Sequence, residues 1–481
     1  MTPPTPSHAG SRFDRLPVTE GTIEEFARDP VVGMRRLWAE HGDVCALQED
    51  AQRVHFAFGP QYVRQILSDE QRFHARFFAI RGPRRSAQRR VTCGLLSMNG
   101  DEHRRHRRMV MGPFQKRIIV GYHDTIAEVA DEMLSTWRPG QVRDLNADMT
   151  QYMLRLTSRL LFGVDEPELA DRIGELTERW VQWNHRLGPA ALSSNPALTA
   201  HYDELLHAAE ELEAGLQELL RLRRSGKLGA DVLSLLIRAH DEEGGVTDEQ
   251  LIGHIALLFG AAHLTSAHTL TWTLFLLAQH PEELGKLHTE LQTVLGGRPP
   301  RPDQLEQLPV LDRILKESMR VLPASAYSQR IAAEPVELGP FRLSRGAIVI
   351  FSQFITHHLP SLYEQPERFI PDRWLRITPS PYAYLPFGAG PRMCLGAALG
   401  MMQLKISLPS ILNRFKLSIL PHAEINGRVQ STMLFPIGRV PVQVQTPDGR
   451  FSASPVGGNI HTLVELPPAT SQWSDTALRA A

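Results

Sequence analysis

Leu385-Pro386-Phe387-Gly388-Ala389-Gly390-Pro391-Arg392-Met393-Cys394-Leu395-Gly396 is the stretch that decides how this chain is read. A single cysteine sits in a loop punctuated by glycine and proline, and a long apolar run follows at once. Gly388, Gly390 and Gly396 let the backbone come close to a flat, bulky neighbour and turn through positive φ. Pro386 and Pro391 stiffen the approach. Such a loop aims a sulfur and holds it still. The helix expected after it places its N-terminal dipole near that sulfur, which favours thiolate over thiol.

A thiolate presented this way suits haem iron, whereas a lone cysteine in apolar surroundings is otherwise a small buried hydrophobe. A dinucleotide loop is excluded, because Gly388-x-Gly390 lacks a third glycine and follows Pro386 rather than a strand. The pattern Phe387-x-x-Gly390-x-Arg392-x-Cys394-x-Gly396 resembles the haem-binding signature of the cytochrome P450 family, with every defining position filled.

Composition sets bounds around that loop. The chain has 481 residues and a net charge of −1, enough length for a large core and no gross attraction to nucleic acid or anionic membrane. Its 3 cysteines, Cys45, Cys93 and Cys394, make no disulfide framework and fit a reducing cytoplasm. The start of the chain is polar and proline-rich, without an apolar signal region, so no membrane span is expected there. The expected organisation is a flexible lead at 1–24, one catalytic domain at 25–445 and a C-terminal extension at 446–481 of unassigned role, in a monomer.

Helical spacing runs over 30–41, 122–137, 147–163, 168–187, 198–224, 311–322 and 395–414, with a break at 188–196. Short strands are expected at 44–47, 54–58, 416–421, 428–435 and 439–445. Residues 68–100 lose periodicity and carry many arginines and aromatics, among them Phe77 and Phe78. The longest helix opens on a capping box, Thr247 with Gln250, and runs to His280. About 32 residues at 1.5 Å give a rod of roughly 48 Å. Its apolar, small-residued middle implies burial through the core.

Three further motifs extend the resemblance to about residues 25–445. His103-x-x-x-Arg107 opens a helix whose i,i+4 pair shares a face; in the family such a pair reaches a haem propionate. His103 and His106 could instead hold a metal, but the surrounding arginines disfavour a cation. Ala261-Ala262-His263-Leu264-Thr265-Ser266 resembles the family's oxygen-activating segment, with Ala262 in place of a glycine and Leu264 in place of the acid. Thr265 is then the catalytic hydroxyl, unless it merely bonds the Ala261 carbonyl as mid-helix threonines do. Glu317-x-x-Arg320 is a surface ion pair on general grounds; the family buries it and completes it with a downstream arginine. Arg368 and Arg373 both compete for that place, and the spacing to Cys394 favours Arg373.

The resemblance implies a mainly α triangular prism with a small β region, haem b lying between the long helix and the cysteine loop. It implies Cys394 as the iron's axial thiolate and Arg330 with Arg392 as further propionate anchors. Ala261, Ala262, Phe387, Gly388 and Gly396 would lie against the haem, and Ser325, Ala326 and Leu434 would border the substrate. The implied activity is that of a monooxygenase inserting one atom of dioxygen into a hydrophobic small molecule, as in secondary metabolism. Electrons would come from a ferredoxin and its NAD(P)H-ferredoxin reductase, with the basic face of Arg104, Arg105, Arg108, Lys116 and Arg117 as a docking surface. Leu264 leaves four alternatives open: an oxygenase whose proton relay uses water or a substrate hydroxyl, a peroxide-driven enzyme, a haem-thiolate isomerase or dehydratase, and a haem-binding sensor.

Overall fold

The computed structural model describes residues 16–76, 80–163, 167–188, 201–243, 247–469 and 473–474. The lead at 1–15, Phe77 and Phe78, and nearly all of the expected break at 188–196 lie outside the described residues.

The long helix, Asp248–Gln279, spans 32 residues and is the axis of the fold. Thr247 Oγ1 accepts from the Gln250 N–H at 3.2 Å and Gln250 Oε1 accepts from the Thr247 N–H at 3.1 Å, which satisfies two orphan donors at its start. The helix Leu145–Phe162 packs along it, and Pro167–Leu187, Pro309–Val321 and Ala397–Arg414 also lie against it. Gly94 and Gly253 mark one close crossing, where a Cβ on Gly94 would collide with the Gly253 carbonyl. Among the described residues it is the one helix long and apolar enough to span a bilayer; 67% of its apolar window is buried within the protein, as in a core helix.

The β region is small. Six strands, Val18–Glu20, Val44–Glu49, Gln52–Ala57, Ile348–Phe351, Ser328–Ala332 and Phe73–Ala75, form one sheet in that order. Lys416–Ile419, Pro441–Gln445 and Val142–Asp144 form another. The strand expected over 428–435 is instead a hairpin, Asn426–Gln430 with Met433–Ile437, turning at Ser431, whose φ of 57° is left-handed. The aperiodic stretch at 68–100 contains the edge strand Phe73–Ala75 and the short helix Ala87–Val91.

The tail beyond 445 is bound to the body rather than free of it. Val456–Gly457 pairs with Ala423–Glu424, and the Glu465 N–H donates to the Glu367 carbonyl at 2.9 Å. Ile460, Leu463 and Val464 are buried in the main core. Its apolar residues are few, but they are spaced to fill the groove beside the hairpin, where a Cβ on Gly427 would run into Leu463.

Candidate functional site

The cysteine loop is fixed from beneath by a buried ion cluster. Glu317 and Arg320, one helical turn apart, are both wholly buried. Arg320 grips both Glu317 oxygens, Nε to Oε2 at 3.0 Å and Nη2 to Oε1 at 2.8 Å. Arg373, not Arg368, brings the second guanidinium, with Nε 2.9 Å from Glu317 Oε1. Arg368 points its side chain outward and offers only its carbonyl, to Arg320 Nη2 at 2.8 Å. Sequence reasoning missed two further donors to Glu317, Trp374 Nε1 and the Ile370 N–H, each at 2.9 Å. It also missed His357. Arg320 Nη1 bonds the His357 carbonyl at 2.8 Å, while His357 Nε2 accepts from the Leu385 N–H at 2.7 Å. That imidazole joins the ion cluster to the first residue of the loop. Burial first, then Arg320, drives it down to about 3, so it stays a neutral acceptor.

In the loop, Gly388 and Gly390 take positive φ, and a Cβ on Gly390 would strike the Leu67 carbonyl. The Cys394 N–H donates to the Phe387 carbonyl at 2.8 Å, closing the turn. Arg107 Nη2 donates to the Met393 carbonyl at 2.6 Å. The Cys394 sulfur is deep in the protein and yet has exposed surface. Its thiol is pushed up by burial, while the Gly396 N–H and Arg107 act the other way. In the protein alone burial prevails over these two, and the following helix begins only at Ala397.

Across from the loop, the long helix is buried along most of its length but opens at one window. Ala261 is exposed, and Ala262, Thr265 and Ser266 keep part of their surface. Ser266 Oγ lies 3.4 Å from Gln403 Oε1, two turns into the helix that follows Cys394, so window and loop share one locale. Thr265 Oγ1 donates to the Ala261 carbonyl at 2.9 Å. Leu264 is buried. At the margin, Leu434 and Ala326 have no exposed surface, while Ser325 and Phe435 retain some. The hairpin is clipped there by the Ala326 N–H on the Thr432 carbonyl at 2.8 Å and the Leu434 N–H on the Ala324 carbonyl at 3.0 Å. Leu434 thus lies within a strand with no exposed surface, and the neighbouring Phe435 stacks its ring on His268 of the long helix.

A set of cations gathers beside the loop. Arg330 and Arg392 are each lowered to about 10, by burial first; Arg330 suffers further from Arg392, and Arg392 from Arg107. Arg392 Nη2 reaches Asn99 Oδ1 at 2.9 Å, but its buried Nε has no partner among the described residues. His103 is buried with Nδ1 3.3 Å from Glu70 Oε2, and neither atom has an aligned hydrogen bond. Burial, then Arg392, keeps His103 below its usual range despite Glu70. Asn99 and Glu70 carried no recognisable signal in the sequence. His106 turns elsewhere, to His254 Nε2 at 2.9 Å. Among the described residues no three His, Cys, Asp or Glu side chains converge on a metal position.

These residues fit a haem. A buried guanidinium with an orphaned Nε, crowded by like charge, calls for the carboxylates that two propionates would bring. The accessible deep sulfur calls for a metal that holds it as thiolate.

Comparison with known proteins agrees. The family model for Cytochrome P450 matches residues 20–445. Cyclooctatin synthase of Streptomyces melanosporofaciens is 30% identical over 421 residues, 85% of this chain and 90% of that protein. Cyclooctat-9-en-7-ol 5-monooxygenase from the same organism is 29% identical over 87% of this chain and 92% of its own length. Pentalenene oxygenase of Streptomyces avermitilis is 28% identical over 89% and 95%. Among solved structures, the retinoic-acid-bound cyanobacterial CYP120A1 superposes with a TM-score of 0.79 at 21% identity, over 90% of this chain and all of its own. The haem domain of cytochrome P450DA gives 0.79 at 25% identity, over 91% and 98%. With the fold, the cysteine loop and the family match in agreement, this chain belongs to the cytochrome P450 family of haem-thiolate monooxygenases.

Proposed function

We propose that the protein hydroxylates a terpenoid, using haem b held by Cys394 and electrons from a ferredoxin and its NAD(P)H-ferredoxin reductase. The observation that carries this reading is the exposed Cys394 in a loop closed by the Cys394 N–H on the Phe387 carbonyl, with Ser266 of the part-exposed window joined to Gln403 on the helix that follows it. The terpenoid class is taken from relatives named for cyclooctat-9-en-7-ol and pentalenene.

Cys394 would hold the iron. Arg330, Arg392, His103 and Arg107 would hold the propionates, and Phe387, Gly388, Gly396, Ala261 and Ala262 would line the faces. When bound, the haem supplies the activation of dioxygen and the oxidising chemistry. The chain's own residues do the rest. Arg107 and the Phe387 carbonyl both hold the peptide between Met393 and Cys394, one at its carbonyl and one at its N–H, which fixes the approach to the sulfur from the N-terminal side. Thr265 Oγ1 carries the proton nearest the window; rotating it off the Ala261 carbonyl lets it donate into the gap. Ser325 and the Phe435 ring border the substrate, with Ala326 and Leu434 backing that wall.

On the outer surface, Arg105, Arg108 and Arg117 are exposed and carry no ion pair among the described residues. Arg104 is held by Glu70 and Asp101, and Lys116 lies 3.7 Å from Glu306. The unpaired three suit an acidic ferredoxin. Free Cys45, Cys93 and Cys394 suit the cytoplasm.

The test is turnover of purified holoenzyme with NADPH, reductase, ferredoxin and a terpenoid panel under isotopically labelled dioxygen. The expected product carries one labelled oxygen. Product formed without dioxygen, or unlabelled product, would overturn the reading.

A further inference from the structure

A second polar group lies at the window and has no part in holding haem. Ala261, Thr265 and His268 stand at i, i+4 and i+7, on one face of the long helix. His268 is buried, 5% exposed, and its Nδ1 has no hydrogen-bond partner. Its ring stacks on Phe435 at 5.5 Å between centroids. The helix Pro167–Leu187 crosses above, its Val181 and Trp180 against Gly260. On that helix Glu178 and His185 are seven residues apart and so share a face. Both sit deep in the protein and both keep reachable surface.

Glu178 Oε2 is hydrogen-bonded to His263 Nε2, and Oε1 accepts from Gln182 Nε2 at 2.7 Å. A clamp between two helices would explain that much. It does not explain His185 and His268, for which no hydrogen bond to a described residue exists. The charge states define what would suit them. Burial is the largest influence on Glu178 and opposes its ionisation, but His263 and Gln182 together hold the carboxyl below the usual range. Burial takes His185 down to about 4 and His268 down to about 3, so both rings are neutral. An ionised carboxylate beside two neutral imidazoles is rich in acceptors and repels an anion.

We infer that Glu178, His185 and His268 form a hydroxyl-recognising roof, and that the substrate is an already oxygenated hydrophobic alcohol rather than a bare hydrocarbon or a carboxylic acid. This rests on the reading of the window as the substrate cavity. The alcohol donates its O–H to Glu178 and accepts from the ring N–H of His185, with His268 beside them. One fixed hydroxyl sets which C–H groups reach the window. The reaction then consumes the product of an earlier hydroxylation or of a cyclisation ended by water.

The test is calorimetric binding to purified holoenzyme of matched probes: abietadiene, abietadienol and abietic acid, then cedrane and cedrol. The alcohols are expected to bind about tenfold tighter than their hydrocarbons, as a charged acceptor warrants, and the acid no tighter than the hydrocarbon. Glu178→Gln and His185→Leu should each remove most of that preference, read as the ratio of alcohol to hydrocarbon affinity within the same variant. His185 makes no hydrogen bond to a described residue, so its variant keeps the test open should loss of the Glu178–His263 bond unfold the other. Equal binding of alcohol and hydrocarbon, or a preference surviving both substitutions, would overturn the inference. Should no terpenoid bind, the terpenoid reading fails instead. The pair dodecane and 1-dodecanol then decides the hydroxyl preference by the same ratio.

Discussion

Around Glu317 both carboxylate oxygens are engaged, by Arg320, Arg373, Trp374 and the Ile370 N–H. Around the middle of the long helix, by contrast, Thr265 bonds only its own turn, Leu264 brings no polar atom, and His268 has an idle Nδ1. The first region is closed and the second is open to a partner. A closed network loses heavily when any member is removed, because a buried charge is left uncompensated. An open one loses or gains according to what is brought to it. Chemistry that must be held still sits on the first kind of structure, and chemistry that must vary with substrate sits on the second.

The largest effect expected is on the closed side. Arg373→Leu leaves Glu317 buried with one guanidinium and should cost about 3–5 kcal/mol. Urea unfolding together with retained haem per chain checks it; a loss below about 1 kcal/mol would place the cluster with ordinary surface pairs. On the open side, Thr265→Ala should lower product formed per electron by about 10²-fold, read as peroxide released against product.

Acid should separate the regions further. His357 is neutral in the fold, at about 3, whereas the unfolded chain takes up its proton near about 6.5. The unfolded state therefore binds more protons between these values. Its contribution is fully present above about pH 6.5 and is lost towards pH 3 at about 1.4 kcal/mol per pH unit. Urea unfolding at a series of pH values should show that slope, and His357→Gln should flatten it by that amount. Buried His268 and His185 add slopes of the same sign. The smallest effect is Leu264→Asp. An acid beside Thr265 should raise coupling a few-fold if the relay lacks one, and unchanged or worse coupling would show that this cavity has its own route.

Much of the closed side was legible in the sequence, because its elements are local. A glycine-proline loop and an i,i+3 acid–base pair declare themselves within a turn or two, as the capping box does at the start of the long helix. What stayed hidden depends on contacts across the chain. His357 meets Leu385, and Glu70 meets His103, through folding alone. The parallel pairing of Gln52–Ala57 with Ile348–Phe351 has no local signature either. Periodicity merged two strands across Ser431, since only its left-handed φ marks the turn. The tail escaped notice because three apolar residues, Ile460, Leu463 and Val464, make its attachment. Glu178 and His185 read as the polar side of an amphipathic helix, and only the crossing over Gly260 turns them inward.

The claim on which the rest depends is that Cys394 supplies the thiolate to the haem iron. The carbon monoxide difference spectrum of the reduced protein tests it directly, comparing the natural chain with Cys394→Ala. The natural chain should give the strongly red-shifted Soret band of a thiolate-ligated haem, and the substituted chain should lack it. The same red-shifted band from Cys394→Ala would contradict the account.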